Sequence, residues 1–261
     1  MQTELQKLQH QTGRYRVRLA AGPNDLRRAQ ELRFEVFNRE LEEGLAESWT
    51  RGYDEDAFDA SCDHLIVEDT TMDSEAHGSP FDVVGTYRLQ PARNATRAPG
   101  LYTAGEFDLG DLAPLFGEAV EAGRACIHRE HRNTRVLQLL WQGIGSYMLR
   151  RRARYLFGCC SLTSQDPLEG AATWRWLAAH GHLHPTLAAR PRREYECFAP
   201  GAARATGPVA DGVPSLFASY LRIGTRICGE PALDRQFKTI DFLALLDVAD
   251  LSLLNRARFL R

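Results

Sequence analysis

No stretch of the chain approaches the roughly 20 consecutive apolar residues that cross a bilayer, and no part of it repeats or falls to low complexity. That excludes a helical membrane span, a solenoid and a tandem array. The six cysteines, Cys62, Cys126, Cys159, Cys160, Cys197 and Cys228, include no C-x-x-C pair, so neither a thioredoxin motif nor a paired-cysteine zinc site is present. Residues 1–10 are too polar for the apolar core of a secretory leader. A cytoplasmic location with free thiols is therefore expected.

Metal and nucleotide motifs are missing as well. His128-Arg-Glu-His131 lacks the helical H-E-x-x-H spacing, and His128 to Glu130 lacks the P-C-x-x-C partner of zinc deaminases. His180, His182 and His184 alternate on a polar connection and read as solvated residues, so no metal is expected. Gly143 and Gly145 lie inside a helical pattern, where close helix-to-sheet packing explains small residues better than a dinucleotide fingerprint does.

What is present is ordinary in bulk: 261 residues, 44% hydrophobic and 25% charged, with a formal net charge of -2. Such proportions belong to a folded soluble chain of one large or two small domains, and no nucleic-acid partner is expected. The near-neutral total conceals two poles. Residues 31–69 carry thirteen acids against three arginines, a local charge of -10, whereas residues 128–154 carry seven arginines against Glu130, a local +6. Poles of this kind can receive a cationic and an anionic partner separately.

Residues 15–20 alternate as a strand, and Gly22-Pro23-Asn24-Asp25 supplies a turn and a cap for a helix through Leu26, Ala29, Leu32, Arg33, Val36 and Phe37. Strands are expected at 64–67 and 83–89, joined by a turn-rich connection over 69–81, with a loop over 91–100. Residues 119–127 read as a strand, 134–153 as a helix with one apolar stripe, 155–162 as a buried strand and 168–180 as an amphipathic helix. This alternation predicts a sheet covered by helices. A small-residue stretch at 201–212 leads to a tail, helical from 215 and apolar over 240–248, expected to pack back on the same domain.

The informative run is Val120-Glu-Ala-Gly-Arg-Ala-Cys-Ile127. Glu121 and Arg124, in an apolar strand feeding a basic loop, are costly to bury unless they serve each other or a ligand. In a straight strand they face opposite sides, and a bulge near Gly123 is expected to turn both toward one cleft. On residue type alone, a buried ion pair made for packing and a catalytic pair stand level. Cys126 and His128, two apart, also point one way and would suit a thiol hydrolase, although a core-strand cysteine usually acts as a small hydrophobe. Cys159 and Cys160 read as packing.

Arg33-Phe-Glu-Val-Phe37, Asp56-x-x-Asp59, Val84-Gly-Thr-Tyr-Arg88 and Glu121-x-x-Arg124 occur in the order and rough spacing of acyl-homoserine-lactone synthases, which the chain resembles. It is more similar still to the lyso-ornithine lipid synthases, also grouped as hemolysin-like acyltransferases. That similarity is carried by Gly123-Arg-Ala-Cys-Ile-His128, Leu139-Leu-Trp-Gln-Gly-Ile144, Ser161-Leu-Thr-Ser-Gln-Asp-Pro167, Tyr220-Leu-Arg-Ile-Gly-Thr-Arg-Ile-Cys-Gly-Glu-Pro231 and Asp241-Phe-Leu-Ala-Leu-Leu-Asp247. The resemblance covers nearly the whole length. It implies an α+β fold of the GNAT type (the acyl-CoA N-acyltransferase fold), a mixed central sheet with flanking helices. It divides the chain into a core over residues 1–204 and a C-terminal extension over 205–261.

The resemblance also implies transfer of a fatty acyl group, often 3-hydroxylated, from the thioester of acyl carrier protein to the α-amine of ornithine. No resident cofactor is implied, because the carrier's own phosphopantetheine arm brings the acyl group. Glu121 is then the expected base, acting directly or through water. Arg124 or Arg88 is expected to fork the substrate carboxylate, Asp56 and Asp59 to meet the side-chain ammonium, and Arg33 either to bind substrate or to brace those aspartates. Backbone N–H groups over 125–127 are expected to hold the oxyanion.

Acetyl-CoA enzymes of this fold read R/Q-x-x-G-x-G/A at the pyrophosphate loop, but Arg132-Asn-Thr-Arg-Val-Leu137 has neither small residue. An acidic carrier protein suits the basic segment better than CoA, so Arg129, Arg132, Arg135, Arg150, Arg151 and Arg152 are the expected docking residues, with a solvated helix face as the alternative. An insoluble product would bring the chain transiently to a membrane surface. Competing readings are an N-acyl amino acid synthase acting on another acceptor such as glycine, a non-catalytic module that binds carrier protein or lipid, and the thiol hydrolase.

Overall fold

In the computed structural model, which describes residues 7–71, 82–94, 96, 99–199, 207 and 209–260, the expected strands and helices form in order and several short elements join them. Strands β1 (Gln9–Thr12) and β2 (Tyr15–Leu19) precede helix α1 (Pro23–Phe34), a π-helical continuation (Glu35–Glu40) and the single turn α2 (Ser48–Arg51). Next come β3 (Asp63–Asp69), β4 (Val83–Pro91), the one-turn helix α3 (Thr103–Glu106), β5 (Phe107–Asp108), β6 (Ala119–Ile127), α4 (Thr134–Arg151) and β7 (Tyr155–Leu162). The chain continues through α5 (Pro167–Ala179), β8 (Arg190–Pro191), α6 (Ser215–Ile223), β9 (Arg226–Ile227), β10 (Ala232–Asp234), β11 (Thr239–Asp247) and α7 (Leu253–Phe259). Of the expected connections, residues 72–81, 95, 97–98, 200–206 and 208 lie outside the described residues.

The chain divides into two compact units, one made of Met1–Gln90, Ala122–Ala153 and Leu253–Arg261, the other of Pro91–Glu121 and Arg154–Ser252. In the first, β1, β2, β3 and β4 pair antiparallel in sequence order, with the later residues of β6 beside β4. Strand β1 escapes the sequence pattern because its residues, Gln-His-Gln-Thr, are all polar and sit at the sheet edge. Helix α4 buries Val136, Leu139, Leu140, Gly143 and Ile144, the stripe its periodicity announced. A methyl group on Gly143 would press to 3.1 Å from Val17 and Leu65, and one on Gly145 would come within 1.6 Å of the Phe259 carbonyl oxygen. Close packing against β2, β3 and α7 is therefore what the two small residues serve.

In the second unit, Ala119, Val120 and Glu121 of β6 run parallel to Tyr155, Leu156 and Phe157 of β7. Strand β11 pairs antiparallel along the other edge of β7, from Ile240 opposite Leu162 to Asp247 opposite Tyr155, and β10 flanks β11. The mixed sheet expected of an α+β fold is thus present, and β7 is a nearly continuous apolar run because it is covered on both edges and faces. Its core joins Ile240 and Phe242 to Trp174, Leu177 and Phe217 from α5 and α6. The boundary expected at 204 does not coincide with the division into units. Residues 207–252 belong to the second unit, where β11 is an inner strand, and Leu253–Arg261 belongs to the first. No helix among the described residues is long and apolar enough to cross a membrane.

Candidate functional site

Five of the residues singled out from sequence meet in the first unit. Helix α1 sends Arg33 between two aspartates: its Nε donates to Asp54 Oδ2 at 2.6 Å, while Nη1 and Nη2 donate to the two oxygens of Asp59 at 2.9 and 2.7 Å. From β4, Arg88 Nη1 donates to Asp56 at 2.5 Å and Asp59 at 3.0 Å. From β6, Arg124 Nη2 donates to Asp56 Oδ2 at 2.9 Å. Three guanidinium groups thus face three carboxylates. Burial raises Asp59 toward neutrality, but Arg33 and Arg88 outweigh it and hold the carboxyl well below its ordinary range. Asp56 is likewise held down, against the opposing effect of burial, by Arg88 and Arg124.

Arg33, Asp59 and Arg88, expected to bind substrate, are engaged with one another and with Asp54 and Asp56. Arg33 is 0% exposed, and Asp59 and Arg88 are each 4% exposed, so a ligand reaches them only by breaking pairs that already neutralise their charge. Arg33 takes the bracing role. Asp56, half-buried, and Arg124 form the outer edge of the network.

Arg124 also carries the backbone irregularity expected one residue earlier: its φ is +50°, whereas Gly123 lies outside the left-handed region. A non-glycine residue there costs about 1–2 kcal/mol, which its pairing with Asp56 helps to offset. The turn in β6 separates the strand's two charged residues by partner. Arg124 bonds within the first unit, and Glu121 bonds within the second.

Glu121 is 6% exposed and holds the start of α3. Its Oε1 accepts from the Thr103 N–H at 2.8 Å and the Thr103 hydroxyl at 2.6 Å, and its Oε2 accepts from the Tyr102 N–H at 3.0 Å. A carboxylate offers about four acceptor positions, so Oε2 retains one.

One turn along α3, Glu106 lies among further acids that the sequence reading missed. A carboxylate oxygen of Glu106, a carboxylate oxygen of Asp241 on β11 and Cys159 Sγ on β7 all lie within 4.8 Å of one another. Asp234 on β10 is tied to the same neighbourhood through the Tyr102 hydroxyl, which donates to it at 3.3 Å. Burial, reinforced by Asp241 and Asp234, pushes Glu106 well above the carboxylate range, and burial also pushes Asp241 up. A signal existed: Asp241 interrupts an apolar run just as Glu121 does. Glu106 had none, because α3 is a single turn with no hydrophobic period.

The two charge poles meet each other at two points. Arg132 forms a two-pronged pair with Glu40 at 2.6 and 2.7 Å, and Arg151 pairs with Asp63 at 2.6 Å. Arg129 lies in the turn before α4 and Arg135 in the first turn of α4, while Arg150 and Arg152 stand at its end, with roughly 22 Å of helix between Arg135 and Arg150. The six arginines expected to dock a carrier therefore form two groups, of which Arg129, Arg135 and Arg152 are exposed without such a pair. At the start of α4, Asn133 Oδ1 accepts from the backbone N–H groups of Arg135 and Val136, both at 3.1 Å.

The remaining candidates serve packing. Burial pushes the Cys126 thiol far above its ordinary value, the opposite of an activated nucleophile. His180 and His182 stack on Trp176 with centroids 4.3 and 5.5 Å away, and His184 Nδ1 accepts from the Leu187 N–H at 2.9 Å.

Residues 32–142 match the profile of an acetyltransferase (GNAT) domain. The chain is 33% identical to the L-ornithine N(alpha)-acyltransferase of Rhizobium meliloti over 243 residues, covering 90% of this chain and 81% of that protein. It is 34% identical to the enzyme of that name from Brucella abortus over 92% of this chain and 86% of the relative, and 32% identical to that of Rhodobacter capsulatus over 95% of each. Among solved structures, the AHL synthase LasI superposes with a TM-score of 0.50 at 10% identity over 90% of this chain and 91% of that one. FeeM, an N-acyl amino acid synthase from uncultured soil microbes, superposes with a TM-score of 0.50 at 13% identity over 94% and 99%. The two superpositions establish likeness of fold.

Proposed function

Because the chain belongs to the family of L-ornithine N(alpha)-acyltransferases and is an N-acyltransferase of the GNAT fold, we propose that it moves a fatty acyl group from the thioester of acyl carrier protein to the α-amine of L-ornithine. The observation that carries the acceptor is identity of 31–34% to four such enzymes over at least 90% of the chain.

The reaction asks for an amine from an ammonium. The acceptor's α-ammonium gives one proton to Glu121, directly or through water, at the open position on Oε2. The nitrogen then attacks the thioester carbonyl, the C–N bond forms and the C–S bond breaks. The second proton from nitrogen goes to the departing pantetheine thiolate, and Glu121 returns its proton to solvent. The three hydrogen bonds that Glu121 accepts from Tyr102 and Thr103 fix the direction of its carboxylate.

The preference for a carrier protein over CoA rests on Asn133. The N–H groups that a helix N-terminus offers to a pyrophosphate are occupied here by the Asn133 side chain. The exposed Arg129, Arg135 and Arg152 add positive charge suited to an acidic carrier.

Incubation of the purified chain with ornithine and either a 3-hydroxyacyl carrier protein or the matching CoA thioester, followed by mass spectrometry, tests this. N-acylornithine formed at least about tenfold faster from the carrier protein is expected. Equal rates from CoA would remove the carrier-protein preference, and no amide from either donor would remove the reaction.

A further inference from the structure

Among the described residues, Glu106, Asp234 and Asp241 have no lysine, arginine or histidine paired with them, although they are only 2, 4 and 3% exposed. Buried carboxylates without a cation are costly, and proteins retain them where a cation arrives or a proton is held. Polar neighbours answer Asp234 more fully than the other two: its Oδ1 accepts from the Gln236 and Phe237 N–H groups at 2.8 and 2.9 Å. Asp241 is bonded by Ser161 and by Thr239 Oγ1, the latter donating to Oδ2 at 3.3 Å, and the Cys159 thiol donates to Glu106 Oε2 at 3.6 Å. Glu106 Oε1 and Asp241 Oδ1 stay fully buried with no N–H or hydroxyl donor on them, and the two side chains bond each other as a carboxylic acid and a carboxylate. These two oxygens sit on facing elements, α3 and β11, in the cluster where the acidic oxygens and Cys159 Sγ approach within 4.8 Å.

The cluster also adjoins Glu121. Thr103, which Glu121 holds by two hydrogen bonds, and Glu106 stand at i and i+3 of one helical turn, on one face and about 4.5 Å apart along the axis. Tyr102 spans the same interval, its N–H on Glu121 and its hydroxyl on Asp234.

We propose that Glu106 and Asp241, with Asp234 behind them, form the subsite for the side-chain ammonium of a dibasic acceptor whose α-amine lies at Glu121. This rests on the N-acyltransferase reading above and assigns its acceptor specificity to these acids in place of Asp56 and Asp59, whose charge Arg33, Arg88 and Arg124 already neutralise. An ammonium has three donors and no acceptor, which matches these two carboxylate oxygens and leaves one donor for Cys159 or water. An acceptor of the same length with an uncharged side chain strands the carboxylates.

The titratable groups facing Glu106 are Tyr102, Cys159, Tyr195, Asp234 and Asp241, all acids. Protons held there in the empty protein leave when an ammonium enters.

Norvaline, which has the carbon skeleton of ornithine without the terminal amine, supplies the control. Wild-type enzyme is expected to favour ornithine over norvaline by about 10- to 100-fold in kcat/KM. Glu106→Gln and Asp241→Asn are expected to raise the KM for ornithine by a similar factor and to erase most of that preference. Equal losses on both acceptors would overturn the subsite. Calorimetry of ornithine binding in two buffers of different ionisation enthalpy separates the subsite from the reaction. Binding with proton release, lost in Asp241→Asn, supports the subsite even if no amide forms. Zinc bound in place of ornithine, and lost in the same variants, would overturn it in favour of a metal site.

Discussion

Two clusters of buried acids in this chain share a composition and differ in what answers their charge. In the first unit, Asp54, Asp56 and Asp59 are matched by Arg33, Arg88 and Arg124 at 2.5–3.5 Å. In the second, Glu106, Asp234 and Asp241 face hydroxyls, a thiol, two backbone N–H groups on Asp234 and one another, and no cation among the described residues. A network whose carboxylates are matched by guanidinium groups fixes the position of α1, β4 and β6 and leaves little net charge to attract a ligand, whereas one without a cation keeps its affinity for a cation from outside. Buried charge alone therefore does not mark a binding site. What marks it is charge without an internal cation.

The largest way to break this contrast is Arg33→Met, which leaves Asp54 and Asp59 buried without their principal cation. Loss of about 3–5 kcal/mol of stability is expected, a fall of roughly 10 °C in Tm for a chain of this size. A urea melt that shifts by less than about 1 kcal/mol would show that the first cluster is not a brace. Next is Glu121→Gln, expected to lower kcat by about 100-fold at pH 7; a near-normal rate in a folded variant confines Glu121 to holding α3.

The two clusters should also respond to pH with opposite sign. Asp59 is held below its ordinary value of 3.8, so its contribution is complete above that pH and lost as pH falls through the folded value. Glu106 is held above its ordinary value of 4.5, so folding binds a proton there and stability declines as pH rises from that value toward the folded one. Glu106→Gln is therefore expected to raise Tm by a few degrees, about 1 kcal/mol at neutral pH, and to flatten the decline. Thermal melts from pH 3 to 8 check both signs. The smallest expected effect belongs to the exposed arginines. Arg135→Glu with Arg152→Glu should raise the KM for carrier protein about two- to fivefold and weaken its salt dependence, and unchanged kinetics would place docking elsewhere.

Much of this was legible in the sequence where periodicity is strong. Strands β6 and β7 fall on the residues expected, and α4 buries its predicted stripe, because a long apolar pattern leaves few alternatives. The contact of Arg33 with Asp59 is one of the two roles that the sequence offers for Arg33, while the pairing of Arg88 and Arg124 with Asp56 is not read from it. Sequence gives the type of a charge and not its neighbour. Short elements stayed hidden: α3 has four residues and β1 is wholly polar. The tail was expected as an addition to the domain, but an inner strand and an appended one carry the same apolar pattern, so β11 was decided only by its pairing with β7.

The most direct single measurement is the position of the amide in the product formed from ornithine and an acyl carrier protein thioester. With the side-chain ammonium held by Glu106 and Asp241 and the α-amine at Glu121, fragmentation should show the acyl group on the α-nitrogen and a free terminal amine. Acylation of the terminal nitrogen, or release of free fatty acid in its place, would contradict that arrangement.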